Sequence, residues 1–448
     1  MTKTEIATHS NHKITKLRGL SLIKALSEFG RTPLEFSLRC AKEYEDIVSL
    51  SMGSAQFYLF NHPSLIEEML SKQNQNCIKD YSYRALQDLF GNGLLLSHGD
   101  TWKYHRRLMQ SAFNSDRLTN YAIRVVTETD LMLENWRSGD RDVHQEMSCL
   151  TAKIIIQAMF GVDATETAEE ITQAVDKVMQ QYSHQAQMFY ILPSWLPTKT
   201  NWQANRAKKR LEEIVYGIVE QRRQNQDDVL STMLNARDEA GNQLSSKELR
   251  DEVMTLLLAG YDTTSNALTW TLMLLAQNPV AEEKLAAELG SVLANRLPTI
   301  DDIPQLPYTK MVIQESMRLY PPAWILGREL IRDCNIAGYD FPRGTVIYFS
   351  QWAVHRDPRF FDNPEKFNPD RWADNLEQRL PRCAYFPFGA GARVCIGKAF
   401  SMMEATLILA MIMQRFHLTL VSKHPIRLLP SFTLRPKQAV KMTLKRRK

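Results

Sequence analysis

Phe388-Gly389-Ala390-Gly391-Ala392-Arg393-Val394-Cys395-Ile396-Gly397 is a glycine-rich loop that ends in cysteine and leads directly into an apolar helix. Three glycines permit tight turns and the close approach of a flat object. A thiolate at Cys395 gains from backbone N–H groups aimed at the sulfur and from the positive end of the following helix, both of which lower its basicity. These are conditions for an anionic sulfur ligand. Two plainer readings compete with it. A dinucleotide loop fails, because Gly389-Ala390-Gly391 is not followed by glycine three positions on; Val394 stands there. A structural cysteine is the ordinary reading of any one thiol, and it suits Cys40, Cys77, Cys149, Cys334 and Cys383, which have no comparable surroundings.

The pattern Phe-Gly-x-Gly-x-Arg-x-Cys-x-Gly resembles the haem-binding loop of the cytochrome P450 family, complete from Phe388 to Gly397. The resemblance implies haem b (iron protoporphyrin IX) with the Cys395 thiolate as axial metal ligand, pushing electron density onto the iron and favouring O–O cleavage. It implies also that Phe388 shields the sulfur and that Arg393 pairs with a haem propionate.

Upstream, a long helix starts at Ser245-Ser246-Lys247-Glu248, a serine N-cap with glutamate three residues on, and ends near Gln277-Asn278-Pro279. That is roughly thirty residues, against about 11–12 for an average helix. Val253 to Tyr261 is apolar around nearly the whole circumference, so the helix runs through the interior. Asp262, Thr263, Thr264 and Ser265 then interrupt it, and buried polar groups are costly unless something uses them. Ala259-Gly260-Tyr261-Asp262-Thr263-Thr264 resembles the family's oxygen-binding stretch. By that resemblance Gly260 leaves room for O₂ and permits a local π-bulge, while Thr263 and Asp262 relay protons, Thr263 holding the hydroxyl close and Asp262 linking it to solvent. The plainer reading is a helix kinked by back-bonding threonines.

Two further elements follow the family order. Glu315-Ser316-Met317-Arg318 puts a carboxylate and a guanidinium on one helix face, which alone is a weak local pair. With Asn368-Pro369-Asp370-Arg371-Trp372 it is similar to the family's buried network of Glu315, Arg318 and Arg371, a structural element; Asp370 and Trp372 stand where glutamate and phenylalanine are commoner. Trp102 and Arg106 lie one helical turn apart and can face one target. By resemblance they and Arg328 are propionate partners. His98 and His105 read as surface or core histidines.

The remaining sequence frames this reading. The chain has 448 residues, 44% apolar and 23% charged, with no Gly/Ser or Pro-rich linker, so it can enclose a bulky apolar cofactor. Asp46 to Phe60 reads as a β-hairpin, helical periodicity dominates from Ser64 to about Tyr320, and prolines and glycines then punctuate short strands such as Thr345–Phe349. A last helix runs from Gly397 to Phe416. The expected fold is mainly α with small β-sheets (α+β), a single cytochrome P450-like haem domain over 21–448 behind a flexible segment over 1–20. A net charge of +5 gives no ground for nucleic-acid binding, and Lys445-Arg446-Arg447-Lys448 reads as a frayed basic end. Six scattered cysteines without a CxxC pair suggest reduced thiols, and no signal peptide or apolar run of ~18 residues is seen, so the expected location is cytoplasmic.

The implied reaction is reductive O₂ activation with hydroxylation or epoxidation of a lipophilic small molecule, a fatty acid or terpenoid. Electrons come from a partner, ferredoxin or flavodoxin with its reductase, docking where Lys398, Arg393, Lys103, Arg106 and Arg107 present positive charge. Expected pocket walls are Leu96, Phe113, Leu258, Ala259, Thr263, Ala323, Trp324 and Ile325. The apolar stretch 188–197 is a lid with at most peripheral membrane contact, or a packed loop. A peroxide-driven peroxygenase and a non-catalytic haem-binding protein are the alternatives; the Asp262-Thr263 pair argues against both.

Overall fold

Ser245 caps the central helix, Ser246–Gln277, with both halves of the capping box formed: Ser245 Oγ accepts from Glu248 N at 3.2 Å and Glu248 Oε2 accepts from Ser245 N at 2.8 Å. In the computed structural model, residues 13–44, 46–50, 56–164, 167–187, 198–220, 228–237, 241, 243–422 and 424–447 are described. The central helix is buried on all sides over most of its length, as its all-round apolarity requires. It packs along Val143–Phe160 and also touches Pro307–Leu319 and the C-terminal helix Lys398–Arg415. Trp270 stacks on Tyr320 with ring centroids 5.0 Å apart.

The β-structure gathers on one side. A six-stranded sheet has the order Ile14–Lys16, Ile47–Ser49, Phe57–Phe60, Val346–Phe349, Leu326–Leu330, Cys77–Lys79. Ile47–Ser49 and Phe57–Phe60 pair antiparallel, which is the predicted hairpin. Gly139–Asp142, Phe416–Leu420 and Lys441–Arg446 form a second sheet, and two-stranded ribbons stand at Cys334–Ile336 with Tyr339–Phe341 and at Leu428–Pro430 with Leu434–Pro436. The fold is mainly helical with small sheets, as expected.

Two expectations change. The segment read as flexible to residue 20 holds a strand at Ile14–Lys16, parallel to Ile47–Ser49, and a helix starting at Gly19, because Leu17, Ala25 and Phe36 build a small core there. Residues 1–12 lie outside the described residues. The frayed reading of the basic end fails for Lys445 to Arg447: the first two close the strand opposite Phe416–Leu420, and Arg447 ion-pairs with buried Glu282. Among the described residues no helix is long and apolar enough to cross a membrane. The stretch 188–197 lies outside the described residues.

Candidate active site

The Cys395 loop is shaped by its glycines. Gly391 has φ +67°, and a Cβ there would lie 2.1 Å from the carbonyl oxygen of Leu70, so the loop can rest on that backbone only with glycine. Gly389, at φ +71°, makes the turn, and Cys395 N donates to Phe388 O at 2.9 Å, closing the loop just before Lys398–Arg415. Cys395 is the one exposed cysteine of six, and its exposure opens into an interior cavity. All six thiols are free.

Trp102, Arg106, Thr263, Arg328, Phe388, Arg393 and Cys395, selected from the sequence, all line that cavity. The Arg393 guanidinium lies 4.2 Å from the Trp102 ring centre, and Arg106 Nη1 donates to Val394 O at 2.8 Å, so the Trp102 helix clamps the cysteine loop. Burial, aided by the neighbouring Arg328, pulls the Arg393 guanidinium down to about 10, and its Nη1 is buried without a hydrogen-bond partner. Arg106 is likewise lowered by burial. A thiol on one wall, orphaned guanidinium donors at one edge and apolar side chains elsewhere fit a flat, apolar, dianionic metal macrocycle.

The thiol's own electrostatics differ from expectation. Burial pushes the Cys395 thiol up, and the Gly397 N–H, Arg106 and Lys398 only partly oppose it. Desolvation of the anion outweighs the loop's dipoles.

The central helix forms another wall of the cavity. Thr263 Oγ1 donates to Ala259 O at 2.8 Å, and Leu258, Ala259 and Gly260 also line the cavity. The helix stays α-helical here, without the π-bulge, and a Cβ on Gly260 would lie 2.6 Å from Ile155 Cδ1; Gly260 therefore serves close helix packing as well as open space. Asp262 is placed differently from its neighbour. Its carboxylate does not line the cavity; it ion-pairs with Arg435, with Arg435 Nε 3.0 Å from Oδ1, while Thr433 Oγ1 donates to Oδ2 at 2.6 Å. Arg435 Nη1 continues to Asp176 Oδ1 at 2.6 Å, and Asp176 is half exposed. Asp262 thus reaches the surface through Arg435. A buried carboxylate without such a counter-charge would be too costly.

Of the expected walls, Phe113, Leu258, Ala259, Thr263 and Ala323 line the cavity, but Leu96, Trp324 and Ile325 do not. Leu94 and Leu95 take the place of Leu96. Trp324 is buried beside Leu34, Trp352 and Leu434 with its indole N–H on Ser431 O at 2.9 Å, because an indole in the core needs an acceptor. Ile325 packs on that same cluster and Leu326 takes the lining position. Lys79, Tyr83 and Phe432 also line the cavity, and no sequence motif marks them, because they come from elements outside the stretches that carry the motifs.

His105 is a core histidine, its Nδ1 2.6 Å from Glu252 Oε1, and His98 is exposed. Glu315 receives Arg318 Nε and Nη2 at 2.8 Å each and Arg371 Nε at 2.9 Å, all buried. Trp372 Nε1 adds a bond to Glu315 at 2.9 Å that phenylalanine could not make. Of the proposed basic docking patch, Arg393 and Arg106 are turned to the cavity, Lys103 pairs with Asp100 at 2.9 Å and Lys398 lies 3.5 Å from Glu377. Arg107 is exposed.

Comparison with known proteins agrees with this geometry. The sequence profile of the cytochrome P450 family matches residues 18–442. Cyclooctatin synthase of Streptomyces melanosporofaciens is 35% identical over 423 residues, 93% of this chain and 92% of that one. Cyclooctat-9-en-7-ol 5-monooxygenase of the same organism is 32% identical over 394 residues, 87% and 85% of the two chains. Pentalenene oxygenase of Streptomyces avermitilis is 32% identical over 402 residues, 89% of each. With a cysteine loop, a threonine-bearing central helix and a cationic cavity edge already in place, the chain belongs to the cytochrome P450 family of monooxygenases.

Proposed function

We propose that the protein uses O₂ and two externally supplied electrons to hydroxylate or epoxidise a lipophilic small molecule, with a terpenoid favoured over a fatty acid. The observation that carries this is that Cys395 and Thr263 line one largely apolar cavity together. The relatives named for cyclooctat-9-en-7-ol and pentalenene support the terpenoid preference.

Cys395 would hold the iron of haem b, and Arg393, Arg106, Trp102 and Arg328 its propionates. When bound, the haem supplies reductive oxygen activation and transfer of one oxygen atom to a C–H or C=C bond. The chain does the rest. Thr263 holds a hydroxyl proton at the cavity, shared with Ala259 O. Asp262, tied through Arg435 to Asp176, would take up a proton from solvent once its side chain leaves the arginine and pass it to Thr263. Leu94, Phe113, Ile155 and Leu258 exclude water. Electrons come from a ferredoxin or flavodoxin, and the reduced thiols favour a cytoplasmic setting.

The test is turnover of a panel of cyclic terpenes and fatty acids with a surrogate ferredoxin and reductase. Oxygenated terpene products formed with reductant and O₂, and not with peroxide alone, are expected. Products formed only with peroxide would replace the reading by a peroxygenase.

A further inference from the structure

Asp251 and Glu252 are adjacent buried carboxylates on the central helix, one turn before Thr255 and Leu256, which line the cavity. Carboxylates in such a place are costly unless they hold something. Both turn to residues 91–95. Asp251 Oδ2 accepts from Asn92 N at 2.8 Å, and Glu252 Oε2 accepts from Leu94 N at 3.1 Å. Gly93 O then accepts from Leu96 N at 3.0 Å and Ser97 N at 2.9 Å, which closes the turn. The segment fits against the helix only because of its glycines. A Cβ on Gly91, at φ +58°, would lie 2.0 Å from Asp251 Cγ, and one on Gly93 would lie 2.3 Å from Thr255 Oγ1. What this strapped segment presents to the cavity is Leu94 and Leu95.

Each carboxylate also reaches a second element. Arg250 Nη1 donates to Asp251 Oδ1 at 3.0 Å, and the same guanidinium pairs with Glu212 on the helix Lys199–Glu220. Glu252 Oε1 lies 2.6 Å from Nδ1 of the buried His105, on the helix Gly99–Gln110 that carries Trp102 and Arg106. Burial pushes the Glu252 carboxyl up, and His105 and the Leu94 N–H only partly oppose it. One side chain of the central helix thus ties together two other pieces of the cavity wall.

We propose that Glu252 is a positioning residue for the substrate, fixing Leu94 and Leu95 against the central helix so that the cavity offers a preformed wall to a bulky lipophilic molecule. This rests on the haem monooxygenase reading. A preformed wall spares the ligand the cost of ordering those leucines, and the gain grows with how much of the ligand rests on them. A small ligand that reaches the iron without touching the wall gains nothing.

The experiment compares wild-type, Glu252→Leu, Glu252→Gln and Gly93→Ala proteins. Wild type is first shown to give the Soret band of a haem-thiolate carbon monoxide complex, which tests the parent reading separately. Imidazole and clotrimazole carry the same iron-binding ring and differ in bulk, and each is titrated by the Soret shift. Glu252→Leu removes the hold on Leu94 and should weaken clotrimazole about tenfold while imidazole stays within about twofold of wild type. Glu252→Gln, which keeps an acceptor for Leu94 N, should retain wild-type affinity for both. Gly93→Ala lifts the loop from Thr255 without touching a charge and should reproduce the Glu252→Leu pattern. Amide exchange over residues 91–97 gives a readout that needs no ligand: it should quicken in Glu252→Leu and Gly93→Ala and stay slow in Glu252→Gln, with the central helix unchanged. If clotrimazole and imidazole weaken together, if clotrimazole binding is unchanged or tightened in Glu252→Leu and Gly93→Ala, or if Glu252→Gln behaves as Glu252→Leu does, the proposal is overturned.

Discussion

Cys395, which lines the cavity, and Asp262, which lies behind Thr263 on the central helix and outside the lining, are held in contrasting ways. The cysteine loop is closed by its own neighbours: Cys395 N bonds Phe388 O, and Gly389 and Gly391 supply the left-handed turns. Asp262 is held by Thr433 and Arg435, residues 171 and 173 positions away on a hairpin near the end of the chain. The thiol is fixed by local backbone conformation, and the carboxylate by a long-range charge pair. A locally determined site tolerates change elsewhere in the fold, whereas a long-range one ties chemistry to the packing of distant elements. Here that tie joins the central helix to the Leu434–Pro436 strand and, through Asp176, to the helix Ala168–Gln187.

The largest expected effect breaks the long-range side. Arg435→Met strands the buried Asp262 carboxylate and should destabilise the protein by about 3–5 kcal/mol, seen in denaturant unfolding of the holoprotein. The double variant Asp262→Asn, Arg435→Met should recover most of that loss. A single-variant cost no larger than the double-variant cost would show that the pair is not coupled.

Breaking the local side costs somewhat less. Gly391→Ala forces a left-handed alanine against the Leu70 carbonyl and should cost about 2–3 kcal/mol, with reduced haem content after purification. Wild-type haem content and unfolding midpoint would contradict the close approach.

Thr263→Ala sharpens the comparison without disturbing either scaffold. Oxygen consumption should continue while product formed per electron pair falls by roughly tenfold to a hundredfold, measured as product against reductant oxidised. Unchanged coupling would remove Thr263 from proton delivery.

The smallest effect concerns Glu404, buried on the C-terminal helix, where the neighbouring Thr264 hydroxyl only partly opposes the cost of burying its carboxyl. Burial holds its carboxyl well above the usual range, so the folded protein keeps it protonated while the unfolded chain ionises near 4.3. The stability associated with this raised group is fully present below that unfolded value and is lost as pH rises towards the folded one. Glu404→Gln should therefore leave the unfolding midpoint nearly unchanged at pH 4 and raise it increasingly towards pH 8. A gain independent of pH would mean that Glu404 is ionised in the fold.

The same contrast explains what was legible in the sequence. The capping box at Ser245, the all-round apolarity of Val253 to Tyr261 and the glycines around Cys395 are local signals; the helix matches the structure, and the tight turns do too, with Gly391 admitting the Leu70 backbone. The partner of Asp262 carries no local signal: Arg435 lies in a mixed stretch, between Leu434 and Pro436, with other basic residues near it in the sequence. Lys79 escaped for a related reason, since only the strand register sets it opposite Arg328. Trp324 and Leu96 are sequence neighbours of Ala323 and Leu95, which do line the wall, and side-chain direction turns them elsewhere. The Cys395 thiol was expected to be acidified by its loop; the depth of its burial, which no short motif encodes, reverses the balance.

The central claim is that Cys395 is the thiolate ligand of a haem. The ferrous carbon monoxide spectrum of the purified protein tests it most directly, recorded for wild type and for Cys395→His. Wild type should show the strongly red-shifted Soret band of thiolate ligation, and Cys395→His, with haem retained, should show the band returned to shorter wavelength as for imidazole ligation. A wild-type spectrum without the red-shifted band, or a Cys395→His spectrum that keeps it, would contradict the account.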